Sequence, residues 1–166
     1  ASIRTEHIAP AVDHLLAANR ELISSLTRPE APVSWAGLVK PLEDANEQLG
    51  RAWGAVAHLH GVLDSPELRT AYEANQPKIV QYYTELGQNL RLFDKYKALA
   101  ASAEFQSLEP AQRRIIENEL RDFRLSGAEL PDTEKKRFAD CQDELARVCT
   151  LFSNNVLDAT NAFTLR

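Results

Sequence analysis

Apolar side chains recur every three or four residues along each long segment of this 166-residue chain. The pattern is most regular after Ser34, where three- and four-residue spacings alternate strictly over four heptads. A period near 3.6 residues places such side chains on one face of an α-helix, whereas a half-buried strand would alternate. No segment alternates convincingly, so the sequence predicts an all-α fold. The apolar positions of this segment are Trp35, Leu38, Leu42, Ala45, Leu49, Ala52, Val56, Leu59 and Leu63.

Turn residues divide the chain into about five long helices. Ser34 and Ser65-Pro66 are typical of helix starts, because serine caps free backbone N–H groups and proline fits the first turn. Gly127 is well placed beyond a helix end. Pro41 should split the first turns of its helix, and Pro77 should interrupt the third helix. The predicted helices run from about Thr5 to Leu26, from Trp35 to Leu63, from Pro66 to about Ala101, from Pro110 to Ser126 and from Pro131 to Phe163.

Short connections between long helices favour antiparallel neighbours, so we predict that residues 1–166 form a single antiparallel helical bundle. Asn19 interrupts the apolar stripe of the first helix, and an asparagine buried there needs hydrogen-bond partners. Gly50 and Gly54 each cost about 1 kcal/mol relative to alanine in a helix. We therefore expect these two glycines to permit the close approach of a neighbouring helix.

The last helix carries a long apolar stripe, and Asn154 and Asn155 point away from it. Two interpretations of these asparagines remain open: they bond to parts of a longer protein, or they face water. Leu151, Leu157 and Leu165 lie off the stripe, so we expect them to be exposed. The stripe consists of Phe138, Cys141, Leu145, Val148, Phe152, Val156, Ala159 and Phe163.

The charge balance and the cysteines limit the partners and the compartment. With 24 acidic and 19 basic residues, the net charge is −5, which argues against nucleic acid as the main partner. No apolar run is long enough to cross a bilayer, so no membrane partner is expected. Cys141 and Cys149 lie ~12 Å apart along one helix, too far for a disulfide. Thiols without a local disulfide partner predict a cytoplasmic location.

The sequence contains no recognisable catalytic pattern. A metallopeptidase helix needs two histidines four residues apart with a glutamate beside the first, and no HExxH occurs. His58 and His60 lie ~200° apart around a helix, and His7 and His14 are two turns apart, so neither pair is suited to share a metal ion. Phosphate-binding loops and nucleophile elbows are also missing. We therefore predict no catalytic, cofactor-binding or metal-binding residues in this chain.

Four motifs, taken together in their order and spacing, carry a family resemblance. They are HIAPAV at 7–12, LGRAWGAVAHLHGVLDSPELRTAYE at 49–73, LRDFRLSGAELP at 120–131 and FSNNVLDAT at 152–160. The last is the most specific. The set resembles the N-terminal part of the thimet oligopeptidase family of zinc metallopeptidases, and the resemblance covers the chain from about Ile3 to Leu165.

The resemblance implies a neurolysin-like, almost entirely helical peptidase several times this length, with two halves flanking a deep narrow channel that admits short peptides. The family holds zinc with the two histidines of HExxH and a later glutamate, all downstream of the matched region. None of these residues carries over to this sequence. Zinc and short peptides are therefore expected to bind the parent protein, while this segment supplies scaffold and channel wall and is inactive alone.

Two functions remain open. The chain is either the N-terminal segment of a metallo-oligopeptidase, whose partner is the missing catalytic region of the same chain, or a free-standing helical scaffold or adaptor without catalysis. Phe163 and Leu165 stay apolar to the end without a helix cap, which favours the first function. Apolar residues of the last helix that are exposed in the isolated segment should then promote its self-association.

Overall fold

The computed structural model describes residues 3–164, and that range folds into seven α-helices without a strand. The all-α prediction is thereby confirmed. A 3₁₀ turn at Thr5–His7 leads into α1, and a π-helical turn at Trp35–Val39 leads into α2. Leu165, which was expected to be exposed, lies outside the described range. The helices are α1 (Ile8–Leu26), α2 (Lys40–Leu63), α3 (Pro66–Gly87), α4 (Leu90–Ala100), α5 (Ala103–Ser107), α6 (Pro110–Leu125) and α7 (Asp132–Ala162).

Local sequence chemistry sets several of these helix ends, as predicted. The Ser34 hydroxyl accepts a hydrogen bond from the Gly37 N–H at 3.0 Å, and the Ser65 hydroxyl accepts one from the Leu68 N–H at 3.2 Å. Gly127 follows α6 with a φ of 81°, a left-handed conformation that favours glycine. Its N–H donates to the Arg124 carbonyl and the next N–H donates to the Phe123 carbonyl, which is the Schellman arrangement.

The two prolines act differently from one another. Pro41 lies in the first turn of α2, directly after the π-helical turn, so the predicted split at this proline is confirmed. The predicted interruption at Pro77 is wrong, because α3 continues through this residue to Gly87. Packing of Ile79 and Tyr82 against α1 and α2 keeps both halves of α3 in one helix.

The break in the third predicted helix comes instead after Gly87. A Cβ added at Gly87 would lie 2.6 Å from the Cβ of Ser126, so only glycine fits where the end of α3 meets the end of α6. Asn89 then caps α4 by accepting a hydrogen bond from the Leu92 N–H at 3.0 Å. Together with the short helix α5, this break turns the expected five helices into seven.

Two hydrophobic clusters form the core. The first joins the end of α1, the π-helical turn and the start of α2 to α4 and α6, around Leu38, Phe93, Tyr96 and Phe123. The second joins α1, α2 and α3 around Val12, Leu49 and Tyr82. Ile23 and Leu86 are half-buried and pack against both clusters, so the described residues form one continuous bundle.

The prediction about Gly50 and Gly54 is wrong. An added Cβ at Gly50 or Gly54 would meet no neighbouring atom within 4 Å, so these glycines do not bring two helices together among the described residues. The apolar stripe of the last helix faces outward: Leu145, Phe152 and Val156 are all exposed. A polar stripe on the opposite side of α7 faces the bundle instead, because it finds hydrogen-bond partners on α3.

Candidate functional site

The four histidines do not converge. His7 lies in the first turn with its Nε2 3.2 Å from Nη2 of Arg4, and His14 and His58 are exposed on different helices. His60 is buried, and its ring stacks on Tyr72 with centroids 4.2 Å apart and planes 7° apart. An aromatic core position accounts for His60 without a ligand.

Residues 3–164 contain no group of three or more His, Cys, Asp and Glu side chains arranged to hold a metal ion. A zinc site needs three or four such ligands within about 2.0–2.3 Å of one point. The described residues therefore do not fit a zinc ion, and no chemistry is assigned to a metal in this segment. Within the same range, no helix is both long and apolar enough to cross a membrane.

One carboxyl pair has strongly perturbed acidity. Burial first, and then the charges of Glu43 and Asp122, raise the pKa of Glu119 to about 7. Burial and the neighbouring Asp44 also raise the pKa of Glu43. The Tyr96 hydroxyl is buried beside them and has no hydrogen-bond partner within the described range. Sequence reasoning missed this cluster, because Glu43, Tyr96 and Glu119 come from three different helices and are brought together only by packing.

Asn19 plays a structural part. Its Nδ2 donates to the Tyr82 hydroxyl at 3.2 Å and to the Ala45 carbonyl at 3.3 Å, and the Tyr82 hydroxyl donates to Oδ1 of Asn46 at 2.6 Å. The network joins α1, α2 and α3 inside the second cluster. The prediction that a buried Asn19 needs partners is confirmed.

The half of the α3–α7 seam nearest the start of α3 is polar, whereas Phe138 of α7 lies beside Ile79 of α3 in the other half. At one end, Arg69 bonds to both Asp64 and Asp158, with Nη2 2.7 Å from Oδ1 of Asp158. These hydrogen bonds hold the pKa values of both carboxyl groups below their usual range. Asp64 lies in the turn before α3 and has a φ of 22°. Arg69 thus ties this turn and α3 to the far end of α7.

Hydrogen bonds continue along the seam in antiparallel register. Asn154 is buried and donates from Nδ2 to Oε1 of Glu73 at 2.7 Å. The Thr150 hydroxyl donates to Oε1 of Gln76 at 2.7 Å. The water-facing interpretation of Asn154 is therefore wrong, whereas its Oδ1 is buried without a partner within the described residues, so bonding to parts of a longer protein stays a prediction. Asn155 is exposed, in agreement with the solvent-facing interpretation for that residue.

Two open cavities flank the hydrogen bond between Gln76 and Thr150. One, of about 480 Å³, lies between α3 and α7 beside Pro77, Ala146 and Leu151. The other, of about 420 Å³, lies where α2 joins the seam beside His60 and Tyr72. The hydrogen bond between Gln76 and Thr150 therefore lies between two spaces open to solvent.

The outward side of α7, here called the outer face, carries a row of exposed apolar side chains. Leu145 is 56% exposed, Phe152 68% and Phe163 74%. Leu151, at 52%, is exposed as expected, whereas Leu157 is half-buried against the seam, which corrects the prediction for that residue. The outer face comprises Cys141, Leu145, Val148, Phe152, Val156 and Phe163.

Comparison with known proteins gives a family match. The sequence profile of the neurolysin/thimet oligopeptidase N-terminal domain matches residues 12–135. The match begins within α1, contains α2 to α6 and stops four residues into α7.

Individual relatives extend the likeness through α7. The chain is 39% identical over 163 residues to Oligopeptidase A of Salmonella typhimurium, covering 98% of this chain and 24% of that protein. It is 41% identical over 158 residues to Oligopeptidase A of Haemophilus influenzae, covering 95% and 23%. It is 38% identical over 162 residues to Oligopeptidase A of Escherichia coli, covering 98% and 24%. The chain therefore spans about a quarter of the length of the curated relatives it matches.

Proposed function

Because this chain belongs to the family of neurolysin and thimet oligopeptidase N-terminal domains, we propose that it is the N-terminal helical segment of a zinc-dependent oligopeptidase that hydrolyses short peptides. One observation carries the proposal. Identity of 38% to Oligopeptidase A of Escherichia coli extends over 98% of this chain but occupies only 24% of that relative.

In this proposal the segment supplies scaffold and channel wall, and the remaining part of the protein supplies the chemistry. Two observations support the division. The described residues do not fit a zinc ion, and the buried polar network around Asn19 serves to join three helices. The zinc ligands and the general base then belong to the downstream polypeptide. The parent protein is proposed to be cytoplasmic, in keeping with two free cysteines.

A comparison of two polypeptides tests the proposal. The 166-residue chain and the longer chain encoded by the same gene are purified without added metal, and zinc content and hydrolysis of a fluorogenic short peptide are measured. We expect about one zinc per longer chain and hydrolysis that a chelator abolishes, with neither property in the 166-residue chain. Stoichiometric zinc and chelator-sensitive hydrolysis by the 166-residue chain would contradict the division. A longer chain without hydrolysis would contradict the peptidase assignment.

A further inference from the structure

We propose that the outer face of α7 is the docking surface for the polypeptide that follows this segment in the longer protein, and that α7 is the first helix of the following domain. The inference rests on the proposed function, because it requires a longer chain. It adds a specific surface, a specific occupant and a domain boundary.

The shape of the outer face is that of one side of a buried helix. Its six residues follow one another at spacings of three, four or seven, so they form a continuous stripe ~33 Å long on α7. Four of them are large and about half or more exposed: Leu145, Phe152, Val156 and Phe163. A contiguous apolar surface of this length is typical of a contact surface, whereas isolated exposed apolar residues are ordinary.

The opposite side of α7 is already engaged. Thr150 and Asn154 bond to α3, and Ala139 and Ala146 are half-buried on the same side. This inner side is centred ~150° around the helix from the outer face. Neither core cluster includes a residue of α7. Polar contacts hold the second half of α7 to the bundle, while Leu145 and Phe152 on the outer face remain 56% and 68% exposed within residues 3–164.

The family boundary identifies the occupant. The match to the N-terminal domain profile ends at residue 135, whereas α7 runs from Asp132 to Ala162. Nearly all of α7 therefore lies beyond the matched part of that domain, and about three quarters of each relative lies outside the part that this chain matches. Polypeptide joined directly to α7 has an effective concentration in the millimolar range, so it outcompetes a second copy for the same surface.

Cys141 offers a direct probe, because it lies on the outer face and is exposed. Its alkylation by a small maleimide is measured in the 166-residue chain and in the longer chain, both with Cys149→Ser. The control is Ala18→Cys, an exposed position on α1, with both native cysteines replaced by serine. We expect Cys141 to react about tenfold more slowly or less in the longer chain, at every protein concentration, and the control to react equally in both chains.

Three results would overturn the inference. Equal reactivity of Cys141 in both chains would show that the outer face remains exposed to solvent in the longer chain. Protection that grows with protein concentration would assign the face to a second copy. Equal slowing of Cys141 and the control would show general occlusion rather than docking on α7. The readout is independent of peptide hydrolysis: an active chain with reactive Cys141 contradicts only the docking, and an inactive chain with protected Cys141 contradicts only the peptidase assignment.

A pair of matched variants provides a second measurement in the longer chain. Phe152 and Leu125 are similarly exposed, at 68% and 70%, but Leu125 lies at the end of α6 within the N-terminal domain. Phe152→Glu should restore Cys141 reactivity to that of the 166-residue chain, whereas Leu125→Glu should leave the protection intact. In the 166-residue chain, both variants should unfold at the same midpoint as the unsubstituted 166-residue chain. This result would exclude a general folding defect. Protection that survives Phe152→Glu would overturn the inference.

Discussion

Asn19 joins three helices at one buried point, so its removal should lower the stability of the whole bundle. In Asn19→Ala the Tyr82 hydroxyl loses a donor and the Ala45 carbonyl loses a partner. We expect the free energy of unfolding to fall by about 1–3 kcal/mol, the cost of leaving buried polar groups without partners. Urea unfolding measures the change. Asn155→Ala removes an exposed amide and is the control, with a change below about 0.5 kcal/mol; an equal loss in both variants would contradict the account.

The Glu119 carboxyl gives the stability of this chain a specific pH dependence. Its pKa is about 7 in the folded protein, above the ordinary 4.5 of an unfolded chain. Between these values the folded state keeps a proton that the unfolded state releases. The contribution of Glu119 is therefore favourable at low pH and is lost as the pH rises through about 7.

Glu119→Gln should remove this dependence, because the amide is neutral at every pH. At pH 8 we expect the free energy of unfolding of the variant to exceed that of the unsubstituted chain by roughly 1–3 kcal/mol. The difference should shrink towards pH 5. Chemical unfolding at both pH values measures it. Glu117→Gln, an exposed neighbour that pairs with Arg114 on the surface, should show little change. A Glu119→Gln variant less stable than the parent at pH 8 would refute the burial argument.

Gly54 is a helix residue with open space around it. Gly54→Ala should raise the free energy of unfolding by about 0.5–1 kcal/mol, because alanine loses less backbone entropy in a helix. Gly127→Ala provides the contrasting case. It should lower stability, because its φ of 81° is strained for any residue with a Cβ. A destabilising Gly54→Ala would mean that a neighbour approaches this side of α2 after all.

At the scale of whole helices, local chemistry predicts the starts of α2 and α3 and the end of α6, since each depends on residues within one turn. Pro77 and α7 show where such reasoning fails. Pro77 was expected to break a helix, yet tertiary packing on both sides of it holds α3 together. The sequence identifies the apolar stripe of α7, yet the polar side through Thr150 and Asn154 is the one with hydrogen-bond partners on α3. The periodicity of apolar residues predicts a helix, but it does not predict which side of that helix packs against a neighbour.

The exposed outer face predicts how the isolated 166-residue chain behaves. We expect it to self-associate at high concentration, because Leu145, Phe152 and Phe163 lack a covering element among residues 3–164. Sedimentation velocity over a concentration series measures the association, and Phe152→Glu should weaken it. An unsubstituted 166-residue chain that stays monomeric at millimolar concentration would contradict this prediction.

At the scale of the whole molecule, the fold and the lack of a catalytic pattern were both accessible from the sequence, and the carboxyl cluster was not. The family resemblance rested on motifs spread from HIAPAV to FSNNVLDAT, and the profile match over residues 12–135 confirms it. Glu43 and Glu119 are 76 residues apart in sequence (119 − 43). The residues around each of them do not predict that the two carboxyl groups lie close together. Contacts of this kind arise only from the packing of α2, α4 and α6.

The central claim is that this chain is a helical segment of a longer peptidase. The most direct test is to sequence the gene beyond the codon for Arg166. The account predicts an open reading frame that continues for several hundred codons, consistent with relatives of which this chain covers 24%, and that encodes an HExxH motif. A stop codon directly after Arg166 would contradict the account and leave a free-standing helical scaffold.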